Sequence, residues 1–292
     1  MLTQVRDRGL PPGAALGRTL AARAGRTTPA VVVAALFLLL LVTCAVAPSW
    51  FVSGNPLAIN PSAVLAAPSA AHLLGTDQYG RDMLAQIIYG TRTSLLVGVT
   101  SVLLGASAGT AAGMIAGFRG GLTDNAIMRV IDVMLCFPGI LLALVFQAAL
   151  GAGVGNEIIA VAVASVPIYA RVSRGQTLSL RGRPFVLAAR SAGVRELTII
   201  RRHLLTPVLA PVVALATIGV GTAVVLAAAL SFLGLGPQNG HPDWGSLIGS
   251  GQEYMGTAWW IVTFPGIIIT LVVLAAAVCG DALRRRLAGE VR

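Results

Sequence analysis

The sequence predicts an all-α integral membrane protein with six transmembrane helices, and three observations carry that prediction. Hydrophobic types make up 56% of the 292 residues and charged types only 11%. A soluble domain has roughly 25% charged residues, so this chain cannot clothe a water-facing surface. Six apolar stretches recur along it, most of them near the ~20 residues that a helix needs to span hydrocarbon. The 21 basic residues are all arginine and alternate with those stretches. A soluble enzyme, a disordered tail and a secreted disulfide scaffold are excluded. The net charge of +10 therefore reads as membrane topology and headgroup contact, with no nucleic-acid partner.

The spans fall at residues 30–47, 94–118, 133–150, 158–170, 212–232 and 260–280. The first is preceded by 29 residues, long for the leading segment of a signal peptide, although Ala45-Val46-Ala47 matches a cleavage pattern. The fourth is short between Glu157 and Arg171. It must begin inside residues 155–157, where the helix dipole tolerates Glu157. With both termini in the cytoplasm, nineteen of the 21 arginines lie on the cytoplasmic side, and only Arg81 and Arg92 lie outside. That bias follows the positive-inside rule. Trp50, Trp259 and Trp260 then suit an outer aromatic belt, with Trp244 on the same side.

The chain divides into a cytoplasmic segment 1–29, a first span with its outer loop 30–72, a core 73–283 holding five spans, and a basic cytoplasmic tail 284–292. Catalytic and metal motifs fail on inspection. Gly105-Ala106-Ser107-Ala108-Gly109 has the spacing of a hydrolase elbow but lies in an apolar segment, and His72, His203 and His241 lie outside the spans. Its small residues predict helix packing instead. A Walker A loop needs lysine, and the chain has none. Cys44, Cys136 and Cys279 sit singly in apolar runs, without metal spacing. The span interiors lack the ionisable groups that mark pumps, so energy must come from elsewhere, or the chain is a passive channel.

The cytoplasmic segment 171–207 is too long for a connector. Pro184 can open a helix, with Phe185, Ala188, Ala189 and Ala192 at helical spacing, and Gly193 can end it or turn it sharply. Leu197, Ile200 and Leu204 predict a second amphipathic helix stopping before Pro207. Ala188, Ala189, Ala192 and Gly193 form a face low enough for another protein's backbone to approach, or the segment is an interfacial loop whose arginines hold lipid headgroups. On the outer side, Thr76 and Asp77 can cap a helix, Gly75 and Gly80 permit tight turns, and Met83, Leu84, Ile87 and Ile88 predict a short helix on the membrane surface. Arg81 and Asp82 form a local cap or ion pair, or meet a docking protein.

The inner segment resembles the E-A-A-x-x-x-G loop of ABC importer permeases, which has a histidine ten residues on. Ala188, Ala189, Gly193 and His203 match it, and Leu187 stands where glutamate is usual. Leu74-Gly75-Thr76-Asp77-Gln78-Tyr79-Gly80-Arg81-Asp82 resembles the signature of the dipeptide/oligopeptide/nickel permeases. So do Gly117-Phe118-Arg119-Gly120-Gly121 and Ser231-Phe232-Leu233-Gly234-Leu235-Gly236 with Trp244-Gly245. The order matches the C-type subunit of that family. The resemblance implies an ABC importer permease fold in a bacterial inner membrane and a non-catalytic subunit forming half of a pathway for peptides. It implies as partners a homologous permease, two cytoplasmic ATPases that hydrolyse ATP with magnesium, and an extracytoplasmic binding protein. Nickel chelates are the alternative cargo, and a stand-alone channel or secondary carrier is the alternative class.

Overall fold

A computed structural model describes residues 29–237 and 240–289, so most of the 1–29 segment and Arg292 lie outside the described residues. Regular structure there is helical, apart from one isolated bridge between Thr76 and Asp82. Helix α1 spans Pro29–Val46 and has the uniformly apolar surface expected of a lipid-facing span. A connecting segment with two short 3-10 turns leads to α2, Met83–Arg119, a single helix of 37 residues. The predicted surface helix is therefore not separate. Met83 and Ile87 pack with Trp260, Ile261 and Leu247, no proline interrupts the run, and the helix continues unbroken into the span.

Helices α3 (Gly121–Leu135) and α4 (Gly139–Leu150) meet at 95°. Pro138 explains the break: it lacks an N–H and disfavours helical geometry in the residue before it. The predicted third span thus begins in α3 and crosses the bend. Helix α5 spans Val154–Arg181. It starts before Glu157, as expected, and it also absorbs residues 171–181, so the inner loop is shorter than predicted.

Helix α6 spans Pro184–Ser191, and α7 runs Glu196–Phe232 with a π turn at Ile200–Leu204. The predicted stop before Pro207 does not occur. Pro207 falls in the first turn after the wide π turn, where a missing N–H and the ring are accommodated more easily. Helices α8 (Trp244–Gly251) and α9 (Trp260–Gly289) complete the fold.

Two helices define the frame. On α2, Gly105, Gly109, Gly113 and Gly117 recur every four residues and so share one face. They meet Ala162/Ser165, Val166/Tyr169, Ala170/Ser173 and Arg174/Thr177 of α5, in that order. Numbers rise together on both helices, so α2 and α5 run parallel. A Cβ on Gly109 would lie 2.5 Å from the Val166 carbonyl oxygen and 2.8 Å from the Tyr169 Cβ. The glycines thus hold the two backbones at a separation no side chain fits, and Ser107 lies exposed on the opposite face. The helix-packing reading of this run holds, but its glycines do the packing and the serine does not.

Parallel α2 and α5 require the segment between them to cross back. Asp124 of α3 meets Arg174 and Asp132 meets Arg171, near one end of α5, while α4 ends beside the other. The twenty residues between those levels of α5 amount to about 30 Å at 1.5 Å per residue, the thickness of the hydrocarbon. The bent pair is a broken span, and six spans result. Helix α7 opposes α5, since Gly219 lies by Tyr169 and Ser231 bonds Glu157. Helix α9 opposes α7, with Gly221 against Val273 and Gly280 against Ile218. The C-terminal end of α9 therefore lies on the same side as α6.

Candidate functional site

At the end of the bundle opposite α6, residues 75–82 form a closed knot. Asp77 is buried and takes four hydrogen bonds. Its Oδ1 accepts from the Tyr79 and Arg81 N–H groups at 2.8 and 2.9 Å, and its Oδ2 accepts from Arg81 Nε at 2.6 Å and Gln86 Nε2 at 2.9 Å. Arg81 also lies over the Tyr79 ring. The Thr76 hydroxyl donates to the Ala63 carbonyl and accepts from the Ala66 N–H, while the Thr76 carbonyl accepts from Trp260 Nε1 at 3.0 Å. Gly75 and Gly80 take φ of +75° and +73°, and a Cβ on either would strike Trp260 or Asn60. The helix cap is Asp82, not Thr76 or Asp77. Asp82 accepts from the Ala85 N–H and also pairs with His72 at 2.9 Å.

The local ion pair foreseen for Arg81 is thus present, made with Asp77. Trp260 is 5% exposed, so it belongs to this knot and not to an aromatic belt, whereas Trp50 and Trp259 are exposed. Trp244 is wholly buried and donates from its indole to the Ile87 carbonyl.

At the other end of the bundle, α6 is closed by a pair of reverse hydrogen bonds. The Gly193 N–H donates to the Arg190 carbonyl and the Val194 N–H to the Ala189 carbonyl, with Gly193 at φ +71°. This is a Schellman motif, which needs a left-handed residue after the helix. Val186, Ile199, Leu204 and Val208 are buried together with Met114 and Phe118 of α2. Arg190 stacks over Phe118, and Arg181 donates to the Gly117 carbonyl at 2.9 Å. The unit is thereby bound to the end of α2.

The outward surface differs from the predicted one. Ala188, Ala192, Gly193 and His203 are exposed, but Ala189 turns partly into the core, and Phe185 and Leu187 join the exposed set. Ile199 is buried where Leu197 was expected, and Leu197 is exposed. A Cβ on Gly193 would meet nothing within 4 Å, so its near side is open.

Between α4, α5 and α7 lies a groove of about 550 Å³. Its lining includes Ile140, Ile168, Leu215 and Leu226, has hydroxyls from Ser165, Tyr169 and Thr222, and carries no charged side chain. Sequence reasoning did not find this surface, because its residues look like ordinary span residues. It also missed the burial of Glu157, which accepts a hydrogen bond from Ser231.

Six alternating spans, a short exposed helix bound to one end of the bundle and an uncharged groove define a membrane-embedded transport subunit. Residues 109–292 match the family described as binding-protein-dependent transport system inner membrane component, and the chain belongs to that family. It is 45% identical over 225 residues to the dipeptide transport system permease protein DppC of Alkalihalophilus pseudofirmus, covering 77% of this chain and 74% of that one. It is 43% identical over 217 residues to the glutathione transport system permease protein GsiD of Pectobacterium atrosepticum, covering 74% and 72%. The MetNI methionine ABC transporter in an inward-facing conformation shares the fold, with a TM-score of 0.56 at 21% identity over 70% of this chain and 97% of that one.

Proposed function

We propose that this chain is the C-type permease subunit of an ATP-driven peptide importer. It works beside a homologous permease, two ATPases on the inner face and a substrate-binding protein on the outer face. The observation that carries the reading is the build of the inner end: an exposed, largely apolar surface on α6, where Phe185 and Leu187 stand beside Ala188 and Ala192, fixed to α2 through Val186, Phe118 and Arg190. An isolated channel has no use for such a handle, whereas a subunit driven by a partner needs one. The relatives named for dipeptide and glutathione transport support peptides as cargo. Their backbones would pass along the uncharged groove, whose hydroxyls offer hydrogen bonds without a fixed charge.

ATP and magnesium act at the partner subunits, and this chain supplies no hydrolytic group. Force applied at α6 reaches α2 directly, and α2 is locked to α5 by the glycine face. Helices α2 and α5 then move as one body with α6, which suits alternating access by rigid rotation of two halves. The outer knot, closed by Asp77, gives the binding protein a firm platform.

The test is uptake of radiolabelled dipeptides into proteoliposomes holding the assembled transporter. Uptake should require ATP, magnesium and the binding protein together. Uptake that persists without ATP would make the chain a channel or carrier. Orientation follows from the arginine bias. Reporter fusions near Gly120 and Arg181 should report cytoplasm, and fusions near Pro61 and Asn156 the outer side. A periplasmic signal at Arg181 would remove α6 from any ATPase.

A further inference from the structure

Two carboxylates without a basic partner meet at the end of the bundle opposite α6. Glu157, in the first turn of α5, is 1% exposed, and Asp243, which caps α8, is 4% exposed. Capping accounts for only one oxygen of Asp243: Oδ1 accepts from the Gly245 and Ser246 N–H groups at 2.9 and 3.0 Å. Among the described residues, Oδ2 is buried and has no hydrogen-bond partner. Both residues line a cavity of about 10 Å³, room for a single water or ion. Thr93, Ser94 and Ser231 add hydroxyls to its wall, and the rest is aliphatic, with no arginine or histidine. Ser94 receives the Trp244 N–H at 3.2 Å, and Ser231 donates to Glu157 Oε1 at 3.2 Å.

A buried carboxylate is costly unless it is paired or takes up a proton, and two facing one cavity aggravate each other. The wall offers only oxygen, so a compensating ion must be a hard cation. Two negative charges match a divalent ion. Magnesium keeps several waters and needs near-ideal octahedral geometry, for which a one-water cavity has no space, whereas calcium accepts irregular oxygen shells. We infer that Glu157 and Asp243, with the hydroxyls of Thr93, Ser94 and Ser231, form a binding site for one hard cation, calcium by charge and size. The ion ties α2, α5 and α7 to α8 at the outer end. Sodium is the univalent member of the same chemistry, and the experiment separates the two.

The inference is independent of the cargo, and its readout is stability, not uptake. The assembled transporter, purified with a chelator, is unfolded thermally with calcium chloride, magnesium chloride or sodium chloride at constant ionic strength. Calcium at a hundredfold excess over its dissociation constant should raise the midpoint by roughly 2–4 °C, and magnesium should do little. Equilibrium dialysis with radioactive calcium should lose one ion per chain in Glu157→Gln and Asp243→Asn. Should those variants not accumulate, Ser231→Ala, a milder change, should weaken calcium binding severalfold. A response to sodium alone overturns the calcium assignment. Calcium binding that survives all three substitutions, or stability that follows pH and no metal, overturns the site.

Discussion

Gly113→Leu should abolish accumulation of folded permease, and Gly109→Leu should do nearly the same, while Ser107→Leu should leave it close to wild type. A Cβ on Gly113 would fall inside contact distance of the Ser173 hydroxyl and of the Ala170 carbonyl. The carbonyl belongs to backbone and cannot rotate away. Overpacking costs about 1–3 kcal/mol where neighbours can yield. Here the helices must separate, so each leucine should cost at least about 3 kcal/mol, at the top of that range. Separation would also strip the register in which Gly105, Gly109, Gly113 and Gly117 meet α5. Ser107 points away from α5 and is exposed. Its leucine adds apolar surface to a face already carrying Leu103 and Leu104. The readout is the monodisperse fraction of a fluorescent fusion on size-exclusion chromatography in mild detergent. Equal behaviour of Gly113→Leu and Ser107→Leu would show that the glycine face is not what joins α2 to α5.

The contrast marks what a one-dimensional reading can reach. Hydropathy is a local property, so all six spans were legible, and the small residues at 105–109 announced close packing. Which face did the packing was not legible, because that depends on the partner helix. The same reason explains the misplaced ends. Residues 171–181 look like loop because they hold three arginines. Yet Arg171 and Arg174 pair with Asp132 and Asp124, and Thr177 is buried against α2, so the polar end of α5 is satisfied by protein. Trp260 at a span boundary reads as a headgroup anchor until Thr76 is seen to take its indole hydrogen. Asp243 and Glu157 are far apart in sequence and come together only through the packing of α5, α7 and α8. By contrast, Gly193 was legible, because a glycine after a helix is a local signal for a left-handed terminus, and φ there is +71°.

Gly193→Leu should insert and fold in the membrane but lose the ATPase subunits and all ATP-driven uptake. Two separate costs follow from the geometry. A non-glycine residue at φ +71° strains the backbone by about 1–2 kcal/mol, loosening the turn between α6 and α7. The leucine side chain would also project into the open space beside Gly193, on the surface assigned to the partner. Two further substitutions separate the causes. Gly193→Asn tolerates the left-handed conformation and adds a smaller side chain, so it should retain most ATPase binding. Ala192→Leu leaves the turn intact but raises the same exposed surface, so it should lose the partner as Gly193→Leu does. Leu187→Glu should be tolerated, because Leu187 is half exposed and a carboxylate there stays in water. Co-purification of tagged permease with its ATPases, followed by uptake in proteoliposomes, measures all four. The core beneath, built on Val186, Ile199 and Leu204, is untouched by any of them, so a loss of ATPase cannot be assigned to unfolded spans. Full ATPase retention and uptake in both Gly193→Leu and Ala192→Leu would mean that the partner docks on some other surface of the inner face.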